Sequence, residues 1–117
     1  MKDRKIEAQM VYLLTSQIPK GRVSTYGAMA RALKAEGAAR AIGQVLKRNP
    51  TPIMVPCHRV VKSDGSMGGY NGIHGIPRKV RLLRSEGVII ENGKVKNLEK
   101  ILFSNFRSEF ISRKANR

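Results

Sequence analysis

The sequence has few of the features that are typical of secreted, membrane-spanning or metal-stabilised proteins. Its 117 residues include one cysteine, two histidines, no tryptophan and 5% aromatic residues. One cysteine excludes an internal disulfide, and two histidines make no ligand cluster, so we expect no metal and no cofactor. No run of about 18 apolar residues could span a membrane, and no signal-type segment follows the charged first residues. We therefore expect a cytoplasmic protein with no membrane association.

Acidic residues are also scarce. Eight Asp and Glu stand against 23 Lys and Arg, which leaves a formal charge of +15 on 13.0 kDa. This excess favours nucleic acid as the partner, because each cation placed against a phosphate releases a condensed counterion. An anionic membrane is a weaker alternative, since no basic amphipathic segment stands apart from the core pattern. A soluble basic protein without a polyanionic partner is the other alternative.

The apolar pattern predicts a single, mostly α-helical domain with small β elements over residues 1–107, and a frayed tail over residues 108–117. An amphipathic helix is expected over residues 5–17. A second helix, capped by Ser24 or Thr25, and a third helix after a turn give a helix-turn-helix outline. The apolar stripe of the third helix comprises Ala39, Ile42 and Leu46. Its exposed basic face, low in relief, comprises Arg40, Ala41, Gln44, Lys47 and Arg48.

The second half of the chain alternates turns with short elements. Prolines close the third helix within residues 49–52, and a short buried strand is expected over residues 53–55. A glycine-rich loop over residues 68–75 suits close backbone approach, and a fourth helix begins near Pro77. An Asn-Gly pair predicts a hairpin over residues 88–95. The last predicted helix carries Leu98, Ile101, Leu102 and Phe106.

Cys57 is the first candidate for chemistry. A lone cysteine in a short chain is usually a buried small hydrophobe. Here Pro56 precedes it and His58 and Arg59 follow it, which supplies a rigid approach, a nearby base and a positive field for a thiolate. Adjacent strand residues point to opposite faces, so His58 reaches Cys57 only through a bend or a bridging water.

The run from Pro56 to Val61 resembles the active-site signature of the O6-alkylguanine-DNA alkyltransferases, also called methylated-DNA-protein-cysteine methyltransferases. The resemblance extends from about residue 11 to residue 87, with its segments in family order. These segments are IPKG at 18–21, TYG at 25–27, AARAIG at 38–43, NP at 49–50, GY at 69–70 and EG at 86–87. It implies a winged helix-turn-helix-like domain that carries the Pro-Cys-His-Arg segment on an active-site strand or turn.

The resemblance implies direct repair of O6-alkylguanine in double-stranded DNA by a monomer. A base must leave the duplex to meet Cys57, whose sulfur then takes the alkyl group irreversibly, in a single self-inactivating turnover. By resemblance, His58 accepts the cysteine proton through a water, and Glu86 orients and charges the imidazole. Tyr26 and Lys79 ease the development of charge on the leaving base.

By the same resemblance, the helix-turn-helix enters the minor groove. Arg40 replaces the extruded nucleotide, Tyr26 crowds the phosphate, and Asn49 is the hinge to the active-site strand. Without the resemblance, these residues read as a phosphate contact, a core tyrosine and a helix terminator. The implied DNA-binding residues are Thr25, Tyr26, Ala38, Ala39, Arg40, Ala41, Gly43, Gln44 and Lys47. The implied pocket residues are Val55, Pro56, Met67, Gly68, Tyr70, Asn71 and Gly72.

The chain departs from the family pattern in three places. By resemblance, we expect that the amino-terminal domain of most members is absent, that the loop over residues 71–77 is longer than usual, and that His74 faces solvent. The residues after Gly87 are expected to form an extra hairpin and helix that replace covering contacts from the missing domain.

Two other functions compete with alkyl transfer. A non-catalytic alkyltransferase-like sensor would bind alkylated guanine and recruit another repair pathway, but such proteins carry a non-nucleophilic residue, typically tryptophan, in place of Cys57. A basic helix-turn-helix regulator explains the charge and the helices. It leaves the Pro-Cys-His-Arg segment and the glycine-rich loop without a role.

Overall fold

The computed structural model describes residues 7–51, 53–69 and 75–107. The helices of this part of the chain are α1 (Ala8–Thr15), α2 (Tyr26–Ala32), α3 (Ala39–Lys47), α4 (Gly75–Ser85) and α5 (Leu98–Ile101). Its strands are β1 (Ser24–Thr25), β2 (Val60–Val61), β3 (Ile90–Glu91) and β4 (Lys94–Val95), and a 3₁₀ turn covers Cys57–Arg59. The prediction of a mostly helical domain with small β elements is confirmed. None of the described helices is long and apolar enough to cross a bilayer.

The helix-turn-helix forms as the sequence predicts. Thr25 is extended, and its Oγ1 accepts a hydrogen bond from the backbone N–H of Ala28 at 3.0 Å, so Thr25 rather than Ser24 caps α2. In α3, Ile42 and Leu46 are buried while the predicted basic face is exposed. This periodicity packs α3 against α1 and α2 and leaves its polar side open to a ligand.

A short parallel pairing positions the Cys57 turn. Strand β1 lies beside β2, with Ser24 opposite Val60 and Thr25 opposite Val61. Because β1 leads directly into α2 and β2 follows directly from the 3₁₀ turn, this pairing brings the start of α2 next to Cys57.

Strand β2 also divides the interior into two cores. Val60 packs in a first core with residues of α1, α2 and α3, whereas Val61 packs in a second core with α4 and the β3–β4 hairpin. Adjacent strand residues face opposite sides, which explains the division. Cys57 belongs to the first core. The hairpin follows its prediction, since Asn92 and Gly93 both adopt positive φ in the turn.

The first predicted helix is longer than the observed one. Helix α1 spans Ala8–Thr15, and residues 1–6 lie outside the described part of the chain. It buries Val11, Leu14 and Thr15, while Leu13 is 46% exposed. Leu13 is about 100° around the helix from Leu14, so it turns away from the core.

The predicted strand over residues 53–55 is wrong. Ile53 and Met54 are 49% and 82% exposed. The backbone N–H of Val55 donates to the carbonyl of Thr51 at 3.0 Å and closes a turn, in which Ile53 adopts a φ of 79°. Local hydrogen bonding therefore prevails over the apolar composition of this segment.

The last predicted helix is also wrong beyond Ile101. Leu102 is extended and bridges to Val23, whose carbonyl accepts from the backbone N–H of Phe103 at 2.6 Å. Residues 101–103 thus form backbone hydrogen bonds with Val23, the residue that precedes β1. The predicted tail, residues 108–117, lies outside the described residues.

Candidate active site

Cys57 begins the 3₁₀ turn and is 3% exposed. The buried Asn49 donates from Nδ2 to Cys57 Sγ at 3.3 Å and to the carbonyl of Val55 at 2.8 Å, and its Oδ1 accepts from the backbone N–H of Thr51 at 2.9 Å. Asn49 lies two residues after the last residue of α3, so its side chain joins the end of that helix to the Cys57 turn. An amide N–H that points at the sulfur also favours a thiolate over a neutral thiol.

The next residue, His58, is fully buried and hydrogen-bonded to Glu86. Its Nε2 lies 3.0 Å from Glu86 Oε2. Arg59 holds the same carboxylate with two bonds, from Nε to Oε1 at 2.9 Å and from a terminal nitrogen to Oε2 at 2.7 Å. Its other terminal nitrogen donates to the carbonyl of Ile18 at 2.8 Å. The expected positive field of Arg59 is therefore directed at Glu86.

Burial and hydrogen bonding fix the charges of this cluster. Burial raises the pKa of Glu86, but hydrogen bonds from Arg59 and His58 outweigh it and hold that pKa below its usual value. Burial chiefly lowers the pKa of His58, and the cations of Arg59 and Lys79 add to this against the opposing effect of Glu86. At neutral pH the pair is therefore a carboxylate and a neutral imidazole.

The tautomer of His58 follows from this charge state. A carboxylate only accepts hydrogen bonds, so the imidazole proton lies on Nε2 and the lone pair on Nδ1. Among the described residues, His58 Nδ1 is buried and has no hydrogen-bond partner. A buried, unpaired acceptor next to Cys57 in the chain is suited to accept a proton.

Lys79 is a fully buried cation. Its Nζ donates to the carbonyls of Val60 at 2.7 Å, Met67 at 2.5 Å and Gly69 at 3.2 Å, and lies 3.4 Å from Tyr26 Oη. Burial lowers the pKa of Lys79 to about 8. Lys79 thus ties β2 to the loop that begins at Met67.

Tyr26 lies between this lysine and an open groove. Burial, with the nearby Cys57 adding to it, raises the pKa of Tyr26 to about 12, so its hydroxyl keeps its proton. Gly68 packs against the ring: a Cβ there would lie 2.6 Å from Tyr26 Oη, and the φ of Gly68 is 70°. Only glycine fits beside Tyr26 in this conformation.

A basic groove of about 700 Å³ runs between the exposed face of α3 and the segment that follows β2. Six of the nine sequence-predicted DNA-binding residues line it, namely Tyr26, Ala39, Arg40, Gly43, Gln44 and Lys47. Of the other three, Thr25 is buried and its hydroxyl caps α2. Sequence reasoning missed the opposite wall, which is formed by Lys62, Ser63, Asp64 and Gly69. The β1–β2 pairing, a contact distant in sequence, helps to bring that wall to α3.

The predicted pocket is described only in part. Pro56 and Met67 are buried, Val55 is half-buried, and Gly68 lines the groove. Tyr70, Asn71, Gly72 and His74 lie outside the described residues. No group of three or more His, Cys, Asp or Glu side chains that could hold a metal occurs in the described ranges.

Residues 7–88 match the family model of the 6-O-methylguanine DNA methyltransferase, DNA binding domain. The chain belongs to this family. The resemblance recognised in the Pro-Cys-His-Arg segment is thereby confirmed at the level of the family.

Two curated relatives are longer than the chain. A bifunctional methyltransferase/endonuclease from Thermoplasma volcanium is 43% identical over 104 residues, which are 89% of this chain and 32% of the relative. A methylated-DNA-protein-cysteine methyltransferase from Methanothermobacter thermautotrophicus is 46% identical over 78 residues, 67% of this chain and 42% of the relative. The chain therefore spans less than half the length of these two relatives.

Two solved structures resemble the fold of this chain. Mycobacterium tuberculosis OGT in complex with DNA superposes with a TM-score of 0.65 and 43% identity, over 71% of this chain and 51% of that one. Schizosaccharomyces pombe Atl1, in complex with damaged DNA containing O6-carboxymethylguanine, superposes with a TM-score of 0.73 and 35% identity, over 82% and 93% of the two chains.

Proposed function

We propose that this chain repairs O6-alkylguanine in double-stranded DNA by transferring the alkyl group to Cys57. The observation that carries the proposal is the coupling of the buried Cys57 turn, through Asn49, to the end of α3, whose exposed face lines the basic groove. The DNA complexes of the two structural relatives support DNA as the ligand of this chain. A monomer in the cytoplasm remains part of the proposal.

The first step moves a proton away from sulfur. The Cys57 thiol passes its proton through one water to His58 Nδ1, the unpaired acceptor, while Glu86 Oε2 holds the opposite nitrogen. The imidazolium formed in this way faces a carboxylate, which stabilises it. The amide of Asn49 stabilises the thiolate left behind.

The thiolate then displaces guanine from the alkyl carbon. The new S–C bond forms as the C–O6 bond breaks, and the electron pair of that bond passes to the base. Tyr26, which keeps its proton, donates a hydrogen bond to the leaving base and eases its charge. The product is a thioether without an easy hydrolysis route, so each chain acts once.

We assign Lys79 a supporting part in this reaction. Three backbone carbonyls surround its ammonium group, which leaves it buried behind Tyr26. It acts by ordering the loop at Met67–Gly69 and by placing a positive charge near the Tyr26 hydroxyl. Tyr26, and not Lys79, contacts the base.

DNA is engaged by the basic groove. The small side chains of Ala39 and Gly43 let the backbone of α3 approach the duplex closely, and the exposed Arg40 replaces the extruded nucleotide in the stack. Small residues at these positions stand where a helix that reads base edges would carry long polar side chains. Binding independent of sequence suits a search for rare lesions.

The proposal is tested by intact-protein mass spectrometry after mixing with a duplex that contains O6-methylguanine. We expect one methyl group per chain, located on Cys57, and no further turnover with excess duplex. Cys57→Ser should abolish transfer and retain lesion binding. Unmodified wild-type protein would contradict alkyl transfer.

A damage sensor is the second candidate, because Atl1 matches the fold over 93% of its length. Such a protein would bind the lesion tightly and leave Cys57 unmodified. The same experiment therefore separates the two functions, since a sensor predicts tight binding without a gain in mass.

A further inference from the structure

Arg59 is the one member of the buried cluster whose role the proposed reaction leaves open. Its guanidinium makes both of its bonds to the Glu86 carboxylate within 2.9 Å and is anchored to the Ile18 carbonyl near the end of α1. Glu86 Oε2 is therefore shared between Arg59 and His58. This two-pronged geometry fixes the plane of the carboxylate as well as its charge.

Glu86 alone would not leave His58 as a base. A buried carboxylate beside an imidazole draws a proton onto the ring, because the charged pair is more stable than an isolated buried anion. The ring would then carry protons on both nitrogens. Nδ1 could not accept a proton from Cys57 in that state.

We infer that Arg59 is a positioning residue that keeps Glu86 a pure hydrogen-bond acceptor and His58 a neutral base with its lone pair on Nδ1. Because the Arg59 guanidinium already balances the charge of the Glu86 carboxylate, the imidazole does not need to be protonated to pair with it. The neutral imidazole donates a hydrogen bond to the carboxylate instead. The guanidinium also disfavours a second cation a few ångströms away. The effect of Arg59 on methyl transfer rests on the proposed function. Its effect on the charge and tautomer of His58 does not, and can be measured in the free protein.

Within the part of the chain that the structure describes, few other charged groups act on His58. Helix α4 contributes Lys79, a cation that acts in the same direction as Arg59, and Glu86 follows its end. Helix α1 packs against the 3₁₀ turn without a charged side chain, and its tyrosine, Tyr12, donates to the carbonyl of Val45 at 3.1 Å. The balance at His58 therefore depends on Glu86, Arg59 and Lys79.

The structural part is tested by nitrogen-15 NMR of the imidazole rings in the free protein. The sequence has two histidines, so His74→Gln assigns the His58 signals. We expect a neutral ring protonated on Nε2 at pH 7 in the wild type, and titration at a higher pH in Arg59→Gln. Arg59→Lys, which keeps the charge and loses the two-pronged bond, should lie between them.

Arg81→Gln is the matched control, because Arg81 is an exposed cation on α4 away from the cluster. Its His58 titration should equal that of the wild type. An imidazolium at pH 7 in the wild type, or an Nδ1-protonated ring, would overturn the inference. If Arg59→Gln does not fold, Arg59→Lys and the wild-type tautomer decide.

The catalytic part is tested by the pH profile of methyl transfer. In Arg59→Gln, transfer near pH 6 should fall about tenfold, while transfer near pH 8.5 stays within about twofold of the wild type. An equal loss at every pH would mean that Arg59 only supports the fold. If the wild type transfers no methyl group, the proposed function fails, and the ring tautomer still decides the role of Arg59.

Discussion

At the scale of single residues, the site contains positions where a different residue would not fit. Gly68 is the sharpest case, since a methyl group there would lie 2.6 Å from the Tyr26 hydroxyl and a φ of 70° strains any L residue. We expect Gly68→Ala to displace Tyr26, slow transfer and cost about 1 kcal/mol or more in the free energy of unfolding. Rapid-quench transfer assays and urea denaturation measure the two effects.

The neighbouring Gly69 provides the control for that substitution. A Cβ at Gly69 would meet the flexible Lys47 side chain at 3.5 Å, an ordinary contact, and its φ is outside the strained range. Gly69→Ala should therefore transfer methyl groups at nearly the wild-type rate. Equal rates for both alanine variants would refute a steric role of Gly68 beside Tyr26.

At the scale of elements, the carboxy-terminal segment, residues 101–107, closes the first core. Arg22 donates to the carbonyls of Ile101 and Leu102 and lies over the Phe103 ring, which packs edge-on against Phe106. Phe103→Ala should lower the free energy of unfolding by about 2–4 kcal/mol, because it removes a half-buried ring that packs against the first core. Leu13→Ala, at a 46% exposed position, should change it by less than about 1 kcal/mol. Urea denaturation measures both variants. If Phe103→Ala lost no more stability than Leu13→Ala, the carboxy-terminal segment would not stabilise the domain.

The same scale separates what the sequence could predict from what it could not. The cap at Thr25, the exposed face of α3 and the Asn92-Gly93 hairpin depend on neighbours within a few residues, so local pattern was enough. The extended course of Leu102 depends on Val23, and the exposed turn at Ile53 depends on hydrogen bonds made by Asn49 and Thr51. Apolar composition alone assigned both segments to regular elements.

The candidate site divides in a similar way. The resemblance supplied Cys57, His58 and Glu86, and the structure brings His58 and Glu86 within 3.0 Å. The resemblance did not identify Arg59 as the partner of Glu86. These two residues are 27 apart in sequence, and only the folded structure brings them into contact. The far wall of the groove was missed for the same reason.

At the scale of the whole molecule, the formal charge is +15, but the groove is lined by only a few of the cations, so binding should depend on where each cation lies. Lys62 lines the groove opposite Arg40 and Lys47. Each phosphate contact adds close to one unit to the dependence of log affinity on log salt. Lys62→Gln should weaken binding to an undamaged duplex and reduce that slope by about 1, as fluorescence anisotropy over a salt series would measure.

Lys96→Gln removes the same charge elsewhere and is the matched control. Lys96 follows the hairpin, where its ammonium group lies 3.4 Å from Glu91, and it does not line the groove. Its loss should leave the salt slope unchanged, because no counterion is released at that site on binding. If both variants lowered the slope equally, the duplex would be held by net charge alone. A change confined to Lys62→Gln would identify the segment after β2 as the second wall of the DNA-binding groove.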